Sequence, residues 1–99
     1  MVVVEGFFDC IKVSQSGYPC VALMGCSMSK TQEKFLAAQF GAVVVMLDGD
    51  DAGRTAAETI ADRLQPVVFS VKTVELPDGV QPDQLSDSQL QAALDGMVY

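Results

Sequence analysis

Glu5, and Asp48 with Asp50 two residues later, are the side chains in this 99-residue sequence best placed to do chemistry. Glu5 follows the apolar run Val2-Val3-Val4, and Asp48-Gly49-Asp50 follows Ala42 to Leu47. In extended chain, residues i and i+2 point the same way, so Asp48 and Asp50 can converge on one ligand. Gly49 lets the chain turn sharply between them. Asp9, one turn into the next helical stretch, and Asp83, in a late loop, are candidates for the same crevice. Such clustering is costly: at ~5 Å and an effective dielectric of about 20, each like-charged pair repels by roughly 3 kcal/mol. A divalent cation reverses that balance. Oxygen-only ligation without histidine or thiolate suits Mg2+ or Mn2+, and the chemistry such an ion supports is activation of a hydroxyl and stabilisation of a transferring phosphoryl group.

Positioning these acids requires two strands ending side by side. Val2-Val3-Val4 is a continuous β-branched run, as expected of a strand covered on both faces. Phe7 to Ser16 reads as a helix with Phe7, Phe8, Cys10 and Ile11 on a broad apolar face and Gly17 as its stop. Cys20 to Met24 is a second strand. Ser29 with Gln32 forms a capping-box pattern opening a helix that carries Phe35, Leu36 and Phe40 and closes at Gly41. Ala42 to Leu47 is the most hydrophobic strand. Asp50 or Asp51 caps a third helix, Ala52 to about Leu64, with Ala56, Ala57, Ile60 and Leu64 inward. Val67 to Leu76 reads as a fourth strand, alternating at its end. Pro77-Asp78-Gly79 is a turn, and Ser86 with Gln89 repeats the capping box before a short last helix. Alternating strands and helices predict an α/β fold, a small doubly wound four-stranded parallel sheet. Strand order 2-1-3-4 places a switch point between the first and third strands, where open sheets bind ligands.

Composition narrows the function. The chain is 49% hydrophobic and 19% charged, which argues against disorder, and it fits one domain over residues 1–99. Thirteen acidic against six basic residues give a net charge of −7, unlike a protein that grips nucleic acid by itself. The absence of histidine removes histidine catalysis and histidine-ligated zinc. Cys10, Cys20 and Cys26 contain no CxxC pair and read as reduced, partly buried cytoplasmic thiols. The apolar runs are too short for a membrane span, and the opening residues lack the basic region of a signal peptide. Single acids have ordinary structural uses: Asp78 as a turn residue, Asp9 as a helix-dipole partner. Three carboxylates ending two central strands have no evident folding advantage.

Three segments, Val3-Val4-Glu5-Gly6-Phe7-Phe8-Asp9, Leu47-Asp48-Gly49-Asp50-Asp51-Ala52-Gly53-Arg54, and Leu76-Pro77-Asp78-Gly79 with Pro82-Asp83, resemble the Toprim domain of bacterial-type DNA primases. Ala22 to Ser29 is similar to the loop and helix entry between the first two acidic motifs. The resemblance implies a metal-dependent nucleotidyltransferase that makes RNA primers on a DNA template. By it, Glu5 is the general acid/base beside the metal, Asp48 and Asp50 are the metal-binding pair, and Asp9 and Asp83 are further acids of the site. Gln81 stands where the family has the first acid of its late motif, which implies a weaker or differently filled second metal position. Arg54 is either a phosphate contact or a solvated surface charge. The phenylalanines and Met24, Met28 and Met46 read as packing, and neither Tyr18 nor Tyr99 reads as a topoisomerase nucleophile. The partners implied are nucleic acid, nucleoside triphosphates and a replicative helicase, reached through flanking modules, so the chain is expected to be a fragment of a larger protein or a subunit completed by other segments. A Toprim nuclease and a non-catalytic interaction module are the alternatives. A phosphatase of the haloacid dehalogenase type fits poorly, because Ala52 stands where that motif wants threonine or valine.

Overall fold

The computed structural model describes residues 1–95. In chain order the elements are β1 (Val2–Val4), α1 (Phe7–Gln15), β2 (Cys20–Ala22), α2 (Lys30–Gln39), β3 (Ala42–Val45), α3 (Asp51–Leu64), β4 (Ser70–Thr73), a 3-10 turn (Pro82–Gln84) and α4 (Asp87–Leu94). The four strands form one parallel sheet in the order β2-β1-β3-β4, as the sequence predicts. The central strands read as unbroken apolar runs because each face has its own layer of helices. Val2, Val4, Val44 and Met46 join Val13, Tyr18, Leu90 and Leu94 in one core. Val3, Val43, Val45 and Leu47 join Leu36, Ile60 and Leu64 in the other. Each fully buried aliphatic side chain contributes about 1.5–3 kcal/mol of burial energy.

Both predicted capping boxes form. Ser29 Oγ accepts from the Gln32 amide at 3.0 Å while Gln32 Oε1 accepts from the Ser29 amide at 2.8 Å. The Ser86–Gln89 pair does the same at 3.2 and 2.8 Å. The third cap is Asp50, not Asp51: its Oδ1 accepts from the Gly53 amide at 2.6 Å, and Asp51 begins the helix proper. The last helix is clasped to the first, Asp87 accepting from Lys12 and Ser16 at 2.8 Å each. Nearby, the Tyr18 hydroxyl donates to Asp95 at 2.7 Å. Cys10, Cys20 and Cys26 are free thiols; burial pushes the Cys20 thiol well up, away from thiolate. Among the described residues no helix is long and apolar enough to cross a membrane.

Four expectations need correction. The fourth strand is only Ser70–Thr73. Val67 is largely exposed and Phe69 is 96% exposed, since Pro66 and the following turn hold the chain off the sheet edge. A short edge strand offers little template for pairing with another chain. The second strand stops at Ala22, because Met24 turns into the left-handed region at φ 64. Most telling, α1 is inverted: Phe7, Phe8 and Ile11 face solvent while Asp9 and Val13 are buried. Met28 and Met46 are packing residues as expected, but Met24 and four of the five phenylalanines are not. Tyr99 lies outside the described residues.

Candidate metal centre at the carboxyl end of the sheet

Parallel order puts the carboxyl ends of β1 and β3 side by side, which brings Glu5 against the Asp48–Asp50 segment. The Glu5 and Asp48 side chains interact directly, and Asp50 and Asp9 lie within electrostatic reach of both. Asp83 reaches the group from the 3-10 turn, which is fastened to α1: buried Asp9 accepts from the Asp83 amide at 3.1 Å. All five predicted acids therefore lie on one rim, drawn from the early, middle and late thirds of the chain.

They are not yet arranged as a ligand cage. Among the described residues no three acidic or thiol side chains stand close enough together to hold an ion unaided. Asp50 has given one oxygen to the α3 cap, and Asp9 has given one to the Asp83 amide. An ion here would be held by few protein oxygens and complete its shell with water or phosphate, a habit of magnesium.

The electrostatics record the strain of this clustering. Burial, then the charges of Glu5, Asp9, Asp50 and Asp83, push the Asp48 carboxyl up to about 6. Glu5 is raised by burial and by Asp50 and Asp9, and its bond with Asp48 offsets part of that. Asp9 is raised chiefly by burial. No ion pair among the described residues relieves them. Among the described residues the ion pairs are Lys12–Asp87, Arg54–Glu75, Arg54–Asp78 and Arg63–Glu33, none on the rim. Asp48 Oδ1 is buried and no donor reaches it. A buried carboxylate oxygen without a partner is expensive, and a hard divalent cation is what its chemistry fits.

Two glycines make the geometry possible. A Cβ on Gly53 would stand 2.2 Å from the Asp48 carbonyl oxygen, so the first turn of α3 can lie against the aspartate loop only without one. A Cβ on Gly49 would stand 2.0 Å from the Pro77 carbonyl oxygen. The Pro77-Asp78-Gly79 turn lies across Gly49 and is tied to it twice: Gly79 donates to the Gly49 carbonyl at 2.7 Å, and Gly49 to the Val80 carbonyl at 2.8 Å. The Asp50 amide bonds back to the Asp48 carbonyl at 2.9 Å, which is the sharp turn expected there.

Arg54 holds this turn in place. Its Nη2 donates to the Leu76 carbonyl at 3.1 Å and to Asp78, and its Nε pairs with Glu75 at 3.1 Å. The guanidinium is thus committed to a brace rather than to solvent, and Asp78 is a partner in that brace as well as a turn residue. Spacing in the sequence carried no signal for this contact, which spans 22 residues. Arg54→Met is expected to lower the urea unfolding midpoint, mostly through the orphaned Leu76 carbonyl, since exposed ion pairs contribute little. Arg54→Lys should recover less than half of that, because one ammonium cannot span the carbonyl and both carboxylates.

A doubly wound parallel sheet with a Glu and an Asp-x-Asp pair at its switch point defines a Toprim-type domain, and the chain belongs to the Toprim-like family, whose pattern matches residues 2–86. Within that family its similarity is to DNA primases. It is 36% identical over 85 residues to the DNA primase of Clostridium acetobutylicum, covering 85% of this chain and 14% of that one. It matches the crystal structure of the Aquifex aeolicus primase (zinc binding and RNA polymerase domains) with TM-score 0.83 and 29% identity, over 96% of this chain and 25% of that one. A DnaG primase catalytic domain bound to single-stranded DNA matches with TM-score 0.80 and 28% identity, over 99% and 33%. The chain thus spans about one-seventh of the length of that curated relative.

Proposed function

We propose that residues 1–99 form the metal-binding catalytic domain of a primase-type nucleotidyltransferase, working within a larger polypeptide that joins ribonucleotides on a DNA template. The observation that carries this reading is the uncompensated rim: five carboxylates, no cationic partner among the described residues, and a buried Asp48 oxygen without a donor. Asp48 and Asp50 would hold Mg2+ or Mn2+, with Glu5 beside them and Asp9 and Asp83 at a second position weakened by Gln81. When bound, the ion supplies Lewis-acid charge for in-line displacement at phosphorus.

The remaining work falls to the chain's own groups. Glu5, raised from the usual carboxylate range by burial and by Asp50 and Asp9, is the proton-handling group beside the aspartate pair. Asp50 fixes its own position through the α3 cap, and Asp9 fixes Asp83 through the 3-10 turn. Arg54 reaches a phosphate only by exchanging Asp78, which is 91% exposed and free to yield. Template, nucleoside triphosphates and helicase would be engaged with the help of flanking sequence, because the −7 charge provides no basic groove.

Manganese titration followed by water-proton relaxation tests the site. Wild type is expected to bind, and Asp48→Asn and Asp50→Asn to weaken binding about 10- to 100-fold or more. Asparagine keeps the α3 cap intact, so a loss in Asp50→Asn reports charge rather than unfolding. Equal binding by all three proteins would remove the assignment. Activity is tested by a chimera in which this chain replaces the equivalent segment of the Aquifex aeolicus primase. Primer synthesis that disappears with Asp48→Asn is the expected result; metal-dependent cleavage without synthesis would move the domain to the nuclease reading.

A further inference from the structure

We infer that Phe7 and Phe8, with Met24, form a stacking platform for the base of a nucleoside triphosphate whose phosphates lie at the acidic rim. This rests on the phosphate-handling function proposed above and adds the half of the ligand that the carboxylates leave unread. Phe7 and Phe8 are the first two residues of α1, directly after Glu5-Gly6, and are 57% and 72% exposed. Their rings meet edge to face, with centroids 5.6 Å apart and planes at 72°. Met24 is 70% exposed on a neighbouring loop. Its amide donates to the Glu5 carbonyl at 2.8 Å, and the Gly25 amide to the same oxygen at 3.3 Å.

The placement is maintained against local preference. A helix that buries aromatics has the ordinary apolar face inward, yet α1 buries Asp9 and turns Phe7, Phe8 and Ile11 outward. Met24 keeps φ 64, a conformation that non-glycine residues seldom adopt and that concentrates at ligand clamps. Exposed apolar residues from the start of α1 and from the loop after β2 are therefore both joined to Glu5, the first through the chain and the second through the Glu5 carbonyl. Aromatic faces stack nucleobases of any sequence, and the Cα atoms of Glu5 and Phe8 are at most about 11 Å apart along the chain, a separation one nucleotide bridges. A docking protein fits less well, since it would have to cover five carboxylates with no cation among them. Phe35, also exposed, has an edge-to-face partner in Phe40 with centroids 5.9 Å apart, but it lies on α2, and exposed Phe69 lies before β4, so neither follows an acid of the rim as Phe7 and Phe8 follow Glu5.

Titrations of the full chain decide the matter, using ATP with Mg2+, inorganic tripolyphosphate with Mg2+, and adenosine alone. Adenosine is expected to shift the ring signals of Phe7 and Phe8 in NMR spectra with or without metal. Phe7→Ala and Phe8→Ala should each weaken ATP about 5- to 100-fold and change tripolyphosphate less than about twofold, and Phe8→Trp should keep the affinity. Both phenylalanines are exposed, so the variants should fold normally. Unmoved ring signals with adenosine would overturn the platform, as would equal losses for ATP and tripolyphosphate. Tripolyphosphate that fails to bind while adenosine still shifts both rings would sink the metal reading and leave the platform standing.

Discussion

Gly49→Ala will destabilise the protein by about 3 kcal/mol or more, the upper range for overpacking and a large part of a small domain's total stability. The reason is space rather than dihedral freedom, because Gly49 is not among the residues with positive φ. Its new Cβ would meet the Pro77 carbonyl oxygen at 2.0 Å and the Leu76 carbonyl oxygen at 3.0 Å. Neither can retreat easily. The Leu76 carbonyl is held by Arg54, and the Pro77 carbonyl accepts from the Val80 amide at 3.0 Å within the turn that Gly49 itself binds. Relief would come only by moving the turn away, breaking the Gly79 and Val80 hydrogen bonds and carrying Asp48 and Asp50 apart. Urea unfolding measures the first effect and manganese titration the second; both should fall together. Gly25→Ala is the control, with nothing within 4 Å of the added carbon and an expected change within about 0.5 kcal/mol. A Gly49→Ala protein as stable as wild type would mean that the 77–80 turn does not lie on the aspartate loop.

Asp48→Asn will separate stability from metal binding. In the metal-free protein the ionised Asp48 is opposed by burial and by four neighbouring acids, so its carboxyl titrates near 6 against about 4 in the unfolded chain. The folded state therefore holds its proton to higher pH than the unfolded state. Below about pH 4 both forms are protonated and the group is neutral in its effect. Between about 4 and 6 the unfolded chain binds fewer protons, so stability falls as pH rises, and above about 6 the full penalty remains. In a dry site this would be worth roughly 3 kcal/mol, and with solvent screening about 1–2 kcal/mol. Asparagine removes the charge, so Asp48→Asn at pH 7 is expected to raise metal-free stability by about that amount and to flatten the slope between pH 4 and 6. The same variant binds the ion more weakly. With Mn2+ at a concentration that fills wild type but not the variant, the order of stabilities should reverse, because wild type then gains more from binding. Chelator-treated samples melted in urea at pH 5 and pH 7, with and without Mn2+, give all four quantities. An Asp48→Asn protein less stable than wild type without metal would show that Asp48 is a structural acid.

The sequence made the topology legible because the signals there are local and redundant. Continuous β-branched runs mark doubly covered strands, and right-handed crossovers then leave few orders open. Ser29 with Gln32 and Ser86 with Gln89 were readable because a capping box is complete within four residues. The acids of the rim were readable as strand-end residues, and spatial order follows from strand order. The inversion of α1 was not, since periodicity assigns the apolar side inward and cannot register that Asp9 is needed inside to hold the Asp83 amide. The start of β4 was misread for a related reason: Val67 and Phe69 have strand composition, but an edge has only one neighbour to pair with. The Arg54 brace and the Gly49 contact join residues more than 20 positions apart, and no short window contains them.

The sheet order has a kinetic corollary. β1 and β3 are neighbours in space while α1, β2 and α2 lie between them in the chain, and Asp83 follows β4. No stretch of nascent polypeptide short of the late 3-10 turn contains every acid of the rim, so the complete rim exists only once that turn has been made. The full mutual repulsion of these acids therefore falls on a chain whose first three strands and three helices are already written, with the two apolar cores available to oppose it.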